Sequence, residues 1–415
     1  MTKIPAVIGS NPAFERIIPI AKPSLPRLDE VEAEFAEILN TGVLSKGRHG
    51  AALENNVAEE LDVKHAIAVS SCTTGLMLTY QALDLTGEVI VPSFTFMSTV
   101  SALRWAGLRP VFVDVDPETM NVDSEAILAA MTTDTSAIVA VHNFGNPCEV
   151  DALQELAGEH GVRLIFDAAH AFGSRYMDKP LGRQGDAQVF SLSPTKLVVA
   201  GEGGIIATND DMVASKVRAG REFGNCGKYD STLPGLNGRL PEINSLLARL
   251  SFPKLEAAVE VRARLAALYR EQLSKIPGIS FQRVRASDRS SYKDFAIIVD
   301  PNRFGLTRDE LALTLKAENV ETRAYYDPPV HQQRAYQQFA PVTGLPKTEK
   351  LSANILCLPI WSSMNPTIPL KICEALDAVH RFAGSIHSSL IKQDFNLNDD
   401  RRGAVNTLQP AVVEA

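Results

Sequence analysis

The sequence predicts an α/β fold on a mostly parallel sheet, followed by a smaller α+β unit, and three observations predict it. Short apolar runs recur at 65–70 (HAIAVS), 88–92 (EVIVP), 110–115 (PVFVDV), 137–144 (AIVAVHNF), 163–169 (RLIFDAA) and 187–193 (AQVFSLS). Their centres lie roughly 22 to 28 residues apart, which leaves room for a helix in each gap. Helical patterns such as DALQELAGEHG (151–161) fill most of those gaps. Fully apolar strands alternating with amphipathic helices mean βαβ units and a sheet covered on both faces. A chain of 415 residues is also too long for one ordinary core.

Residues 1–27 read as an N-terminal arm. Residues 28–42 (LDEVEAEFAEILNTG) form an amphipathic helix closed by Gly42. A large domain is expected over 28–255 and a small one over 256–392. Residues 241–274 bridge the two as a long helical stretch interrupted at Pro253. In the small domain, KDFAIIVD (293–300) predicts a strand. Thr307 opens a helix with Glu310 as capping-box partner, and Leu306 and Leu311 suit a hydrophobic staple. Residues 393–415 are a polar tail, expected to be loose or to pack on a neighbour.

Lys and Arg number 41 against 49 Asp and Glu, a formal charge of −8. That balance argues against nucleic acid as a partner. Apolar runs such as 137–141 fall far short of the roughly 18 residues a membrane span needs. The first residues contain no apolar stretch of the signal-peptide kind. Five cysteines, with no CxxC among them, favour neither a disulfide framework nor a zinc site. A reducing cytoplasm is the expected location.

Three segments carry candidate chemistry. In FSLSPTKLVVAGEGG (190–204) a strand ends and Lys196 sits in the connection after it. Ligands of a parallel sheet bind at the strand carboxyl ends. An amine desolvated there has a lowered pKa, which a Schiff-base lysine needs. The alternative is a solvated loop lysine. In LIFDAAHAFG (164–173), Asp167 follows a buried strand, where an acid binds metal, positions a ligand or caps a helix. Metal is the weaker choice, because no His/Asp set stands at metal-ligand spacing. His170, three residues on, suits a structural histidine as well as a ligand. In AVSSCTTGLMLTYQAL (68–83) small hydroxylated residues open a helix. They suit a phosphate or an ordinary N-cap. There is no GxxxxGK[ST] or GxGxxG motif.

The order of these segments is more specific than any one of them. A phosphate-type helix start, an Asp at a strand end and a lysine 29 residues later resemble the layout of fold-type-I pyridoxal phosphate (PLP) enzymes. The chain resembles the DegT/StrS family of sugar aminotransferases from about Leu44 to Phe382. Supporting stretches are VPSFTFMSTVSALRWAGLRPVFVDVD (91–116), VHNFGNP (141–147), LNGRLPEINSLLA (236–248) and YYDPPVHQQRAY (325–336).

The resemblance implies a mostly parallel seven-stranded sheet and a small α+β C-terminal domain. It implies that Lys196 holds PLP covalently and that Asp167 pairs with the pyridine nitrogen. Thr73, Thr74 and Ser191 match the phosphate cradle, Phe96 an aromatic on the ring, and His170 a neighbour of the 3-hydroxyl. Asn237 matches an asparagine that reaches the phosphate of the partner subunit, which implies a homodimer with shared sites. Glutamate or glutamine is then the amino donor, with a pyridoxamine phosphate form between half-reactions. The acceptor is a nucleotide-linked keto-deoxy sugar, with a keto-cyclitol or other natural-product ketone as alternative. Many relatives carry His where Ser193 stands, which bears on the substrate. Lys196 weighs against sugar dehydration, because the family's dehydratases have histidine there. A non-catalytic regulator on the same fold and an α/β binding protein without PLP are the readings from other classes.

Overall fold

Burial of both faces explains why the strands read as continuous apolar runs. The computed structural model describes residues 4–227 and 229–391; the expected polar tail, 393–415, lies outside the described residues. Helices α1 (Leu28–Thr41) and α2 (Arg48–Leu61) come first. Gly42 closes α1 in the left-handed conformation at φ 68, its N–H on the Ile38 carbonyl.

There follow in alternation β1 (His65–Val69), α3 (Cys72–Ala82), β2 (Glu88–Pro92), α4 (Met97–Trp105), β3 (Arg109–Val113), α5 (Ser124–Ala130), β4 (Thr135–Val141), α6 (Val150–His160) and β5 (Arg163–Asp167). The next gap departs from the expected helix. It holds a hairpin of β6 (Arg175–Tyr176) and β7 (Lys179–Pro180) before β8 (Ala187–Ser191). Met177 and Asp178 turn the chain there at φ 46 and φ 60, and Pro180, Gly182 and Gly185 break any helix beyond them. A strand that the periodicity did not single out, β9 (Gly204–Thr208), follows the glycine-rich turn.

The seven strands run in the order β1-β9-β8-β5-β4-β2-β3. β9 is antiparallel to β1 and β8, and the remaining neighbours pair in parallel. The period of two sorts side chains to the faces. Ala66 and Ala68 pack with Leu53 and Val57 of α2, while Ile67 and Val69 pack with Leu76 of α3.

After α7 (Asp211–Gly220), α8 (Glu242–Ser251) meets α9 (Leu255–Leu273) through a single turn containing Pro253. A second core forms around an antiparallel sheet of β10 (Ile279–Phe281), β11 (Phe295–Val299) and β12 (Ile355–Leu358). Its helices are α10 (Pro301–Phe304), α11 (Arg308–Ala317), α12 (Pro346–Asn354) and α13 (Thr367–Arg381). The capping box forms: the Thr307 N–H donates to Glu310 Oε2 at 2.8 Å and the Glu310 N–H to Thr307 Oγ1 at 3.2 Å. Ala13 and Phe14 of the N-terminal arm enter this second core. The Glu318 carboxylate accepts from the N–H groups of Ala6 and Ala13 at 2.6 Å each. Among the described residues no helix is long and apolar enough to cross a membrane.

Candidate active site

β5 and β8 are neighbours, and both end on polar residues. Asp167 closes β5 and Ser191 closes β8. Asp167 is buried, and each of its carboxylate oxygens has one donor. Thr99 Oγ1 donates to Oδ2 at 2.7 Å, and the Ala169 N–H donates to Oδ1 at 3.1 Å. Thr99 is itself held by Thr95, hydroxyl to hydroxyl at 2.9 Å. Burial pushes the Asp167 carboxyl above the usual range, while these hydrogen bonds and the Lys196 charge pull it back. A cation placed against it would favour the carboxylate form.

Lys196 follows β8 in the connection to β9. The chain there is pinned at both ends: the Lys196 N–H donates to the Ser193 carbonyl at 3.0 Å, and the Ala200 N–H to the Leu192 carbonyl at 2.8 Å. Leu197, Val198 and Val199 are buried, so the backbone cannot drift outward. Lys196 keeps some solvent contact. The dense surroundings of its ammonium, and then the Lys293 charge, push its pKa down to about 7.

The third feature is the start of α3. Ser71 caps it, its Oγ accepting from the Thr74 N–H at 3.0 Å. Cys72 and Thr73, at the first two helical positions, have no intrahelical acceptor for their N–H groups. β9 makes room for them by starting on glycine. Gly204 is paired to both Val69 and Ser191, and a Cβ there would stand 2.7 Å from the Cys72 nitrogen.

These groups share one cavity of about 350 Å³, lined by Thr73, Phe96, Asp167, His170, Ser191 and Lys196 among others. Thr74 and Asn237 are not in its lining. The Thr74 N–H is spent on the cap, and its hydroxyl lies 3.2 Å from Ser70 Oγ and 3.0 Å from Ser71 Oγ. Asn237 is exposed, and its Oδ1 accepts from Arg239 at 3.1 Å. Phe96 projects from the start of α4 and is 49% exposed. His170 accepts the Phe144 N–H on Nδ1 at 3.2 Å, so a neutral ring carries its proton on Nε2. Burial, with the Lys196 and Lys293 charges, holds this imidazole well below its ordinary pKa and therefore neutral.

The second core supplies cavity residues that the strand ends did not reveal. Lys293 and Asp294 form a buried ion pair at 2.9 Å, and Tyr325 and Tyr326 complete the wall. The expected strand at 293–300 is shorter, Phe295–Val299, which leaves Lys293 and Asp294 in front of it. Two charges at the head of an apolar strand were the available signal.

The same architecture recurs in characterised proteins. The chain is 33% identical over 366 residues to the dTDP-4-amino-4,6-dideoxy-D-glucose transaminase of Escherichia coli, covering 87% of this chain and 98% of that one. The structure of DesI, solved in the presence of its TDP-sugar product, superposes with a TM-score of 0.86 at 35% identity, covering 94% of this chain and 98% of that one. DesV of S. venezuelae gives 0.80 at 31%, covering 87% and 99%. A lysine and an acid at adjacent strand ends, on this sheet order, thus come with relatives aligned over almost their whole length. Residues 27–377 match the DegT/DnrJ/EryC1/StrS aminotransferase family, and the chain belongs to it.

Proposed function

We propose that this aminotransferase uses PLP to move an amino group from glutamate or glutamine to the ketone carbon of a nucleotide-linked keto-deoxy sugar. The observation that carries the reading is one cavity that brings together a lysine of lowered pKa, a buried carboxylate and two uncommitted helix-start N–H groups. The family is PLP-dependent, and the residues fit that cofactor by their own chemistry. Asp167 is a buried acid that a protonated ring nitrogen would keep ionised. The first turn of α3 with the Ser191 hydroxyl suits a phosphate. Phe96 is an aromatic face open to the cavity, and His170 offers an Nε2–H to an anionic oxygen. PLP when bound supplies the electron sink that lets a carbon–hydrogen bond beside nitrogen break.

The chain's own residues do the rest. A pKa lowered to about 7 makes the unprotonated amine of Lys196 far more accessible near neutral pH than that of an ordinary lysine. Its Nζ can therefore take a proton from the donor's α-carbon and return one to the acceptor carbon. Asp167 holds positive charge at the ring nitrogen, with Thr99 and Ala169 fixing its orientation. The sum is balanced: ketone and glutamate give amine and 2-oxoglutarate. The sugar assignment draws on the names of the E. coli relative and DesI.

The proposal extends to a homodimer in which Asn237 completes the neighbour's site, which suits its exposure outside the cavity of its own chain. It includes a large domain over 28–255 and a small one over 256–392, and a cytoplasmic location, which suits five free cysteines. The test is spectroscopic. Glutamate or glutamine alone should convert the cofactor band of the holoenzyme to that of pyridoxamine phosphate. A keto-sugar nucleotide should then reverse it, with the carbonyl oxygen replaced by an amino group in the product's mass. Asp167→Asn should fold, bind cofactor and lose at least about 100-fold in both half-reactions. A holoenzyme inert to both donors, or near-native Asp167→Asn turnover, would overturn the reading.

A further inference from the structure

Among the charged side chains in the cavity wall, Lys293 and Asp294 touch none of the groups given a role above, although the Lys293 charge acts on Lys196. Lys293 and Asp294 stand just before β11 and are 5% and 4% exposed. Lys293 Nζ lies 2.9 and 3.0 Å from the two Asp294 oxygens, and 5.8 Å from the centre of the Tyr325 ring. The backbone beneath them is braced. Buried Arg262 donates to the carbonyls of Tyr292 and Lys293 at 3.0 and 2.9 Å, and the Lys293 N–H donates to the Phe144 carbonyl at 3.0 Å. The charge of Lys293 reaches Lys196, where it is the largest contribution to the lowered pKa after burial. The pair and Lys196 line the same cavity of about 350 Å³.

A buried ion pair is a weak source of stability, because desolvation offsets most of the attraction and apolar residues of similar volume do as well. Its use lies in what it can recognise. A further carboxylate or phosphate would gain from Lys293 and lose to Asp294. A hydroxyl gains from both, since it accepts and donates at once. The ammonium has three N–H donors and each carboxylate oxygen two lone pairs, so the pair can bind a hydroxyl without separating. Both bonds would be charge-assisted.

We propose that the Lys293–Asp294 pair is the specificity-determining contact for the hydroxyl on the carbon next to the acceptor's ketone. This rests on the reading of the chain as a sugar aminotransferase and names the group that sits beside the reacting carbon.

The experiment compares a keto-deoxy sugar nucleotide carrying that hydroxyl with its deoxy analogue. The wild-type holoenzyme should favour the hydroxylated ketone by at least about 100-fold in kcat/KM. Lys293→Met/Asp294→Leu removes the pair and leaves buried Arg262 with only neutral acceptors, the Ser362 hydroxyl and the Tyr292 and Lys293 carbonyls. It should lower Tm, because Arg262 loses the Asp294 charge, and in the folded protein it should bring the ratio below about tenfold. If that variant does not fold, Lys293→Gln/Asp294→Asn keeps the shape without charge and should still lower the ratio about tenfold. Calorimetric titration with the hydroxylated and deoxy amino-sugar nucleotides should show the same preference without turnover. A wild-type ratio near one, or an undiminished ratio in a folded variant, overturns this proposal alone. A holoenzyme that accepts an amino group from glutamate yet aminates neither ketone overturns the sugar reading and this one together.

Discussion

Lys196 illustrates what a site costs at the scale of one residue. Its folded pKa of about 7 lies below the ordinary 10.5. Between those values the unfolded chain holds a proton that the folded chain has released. Folding stability of the cofactor-free protein therefore rises with pH through that window and is lost as pH falls toward 7. Lys196→Met removes the proton from both states. The cofactor-free variant should melt above wild type at pH 7, and the gap should close as pH approaches 10. Thermal scans of both proteins at several pH values check this, and a gap independent of pH would contradict the burial argument. Borohydride reduction of the loaded wild type, followed by peptide mapping, should put the pyridoxyl mass on Lys196.

Helix α3 and strand β9 show how an element is placed rather than a side chain. The helix start faces the cavity because β9 begins on a residue without a Cβ. A methyl on Gly204 would meet the Cys72 nitrogen at 2.7 Å and the Ser71 carbonyl carbon at 2.8 Å, both backbone atoms. Backbone cannot rotate away as a flexible side chain can, so α3 itself must shift. Gly204→Ala should cost about 1–3 kcal/mol in urea unfolding. It should also weaken PLP affinity at least about tenfold, since the N–H groups move with the helix. Gly158 in α6 is the control, because a methyl added there would meet nothing within 4 Å. Gly158→Ala should gain about 0.5–1 kcal/mol by helix propensity and leave PLP binding alone. Equal effects at both positions would remove the steric argument.

For the whole molecule the question is whether one chain makes a complete site. Asn237 lies outside its own cavity, so the proposed dimer predicts complementation. Suppose Lys196→Ala and Asn237→Ala are each nearly inactive. A mixed heterodimer then has one site with both lesions and one with none. Random mixing makes about half of the dimers heterodimers, so activity should return to roughly a quarter of wild type. Differently tagged chains recovered together establish that exchange occurred. Verified heterodimers without activity would return Asn237 to the role of a turn residue in its own chain.

Much of this was legible in local sequence. The alternation of β1 to β5 with helices, the Gly42 stop, the Pro253 break and the Thr307 box each depend on residues within a few positions of one another, and each formed. The placement of Asp167 and Lys196 was legible for the same reason: a residue that ends a buried parallel strand, or lies in the connection just after one, sits at the ligand edge of the sheet. The hairpin at 175–180 and strand β9 were not. Both gaps had the length of a helix or a loop, and only pairing partners far along the chain decide between those and a strand. The resemblance implies a place for Thr74 in the phosphate cradle; that its N–H donates to the Ser71 cap is visible only in three dimensions. Lys293, Asp294, Tyr325 and Tyr326 are the clearest case. Two charges at the head of an apolar strand and a paired tyrosine are weak local signals, and these residues join Lys196 only because the second core packs against the carboxyl edge of the first sheet. The sequence by itself determined six of the seven strands of the sheet, its ligand edge and the residues at those strand ends, because those follow from short-range periodicity. The tertiary structure alone decided which distant side chains close the cavity, because that depends on how two separately formed cores meet.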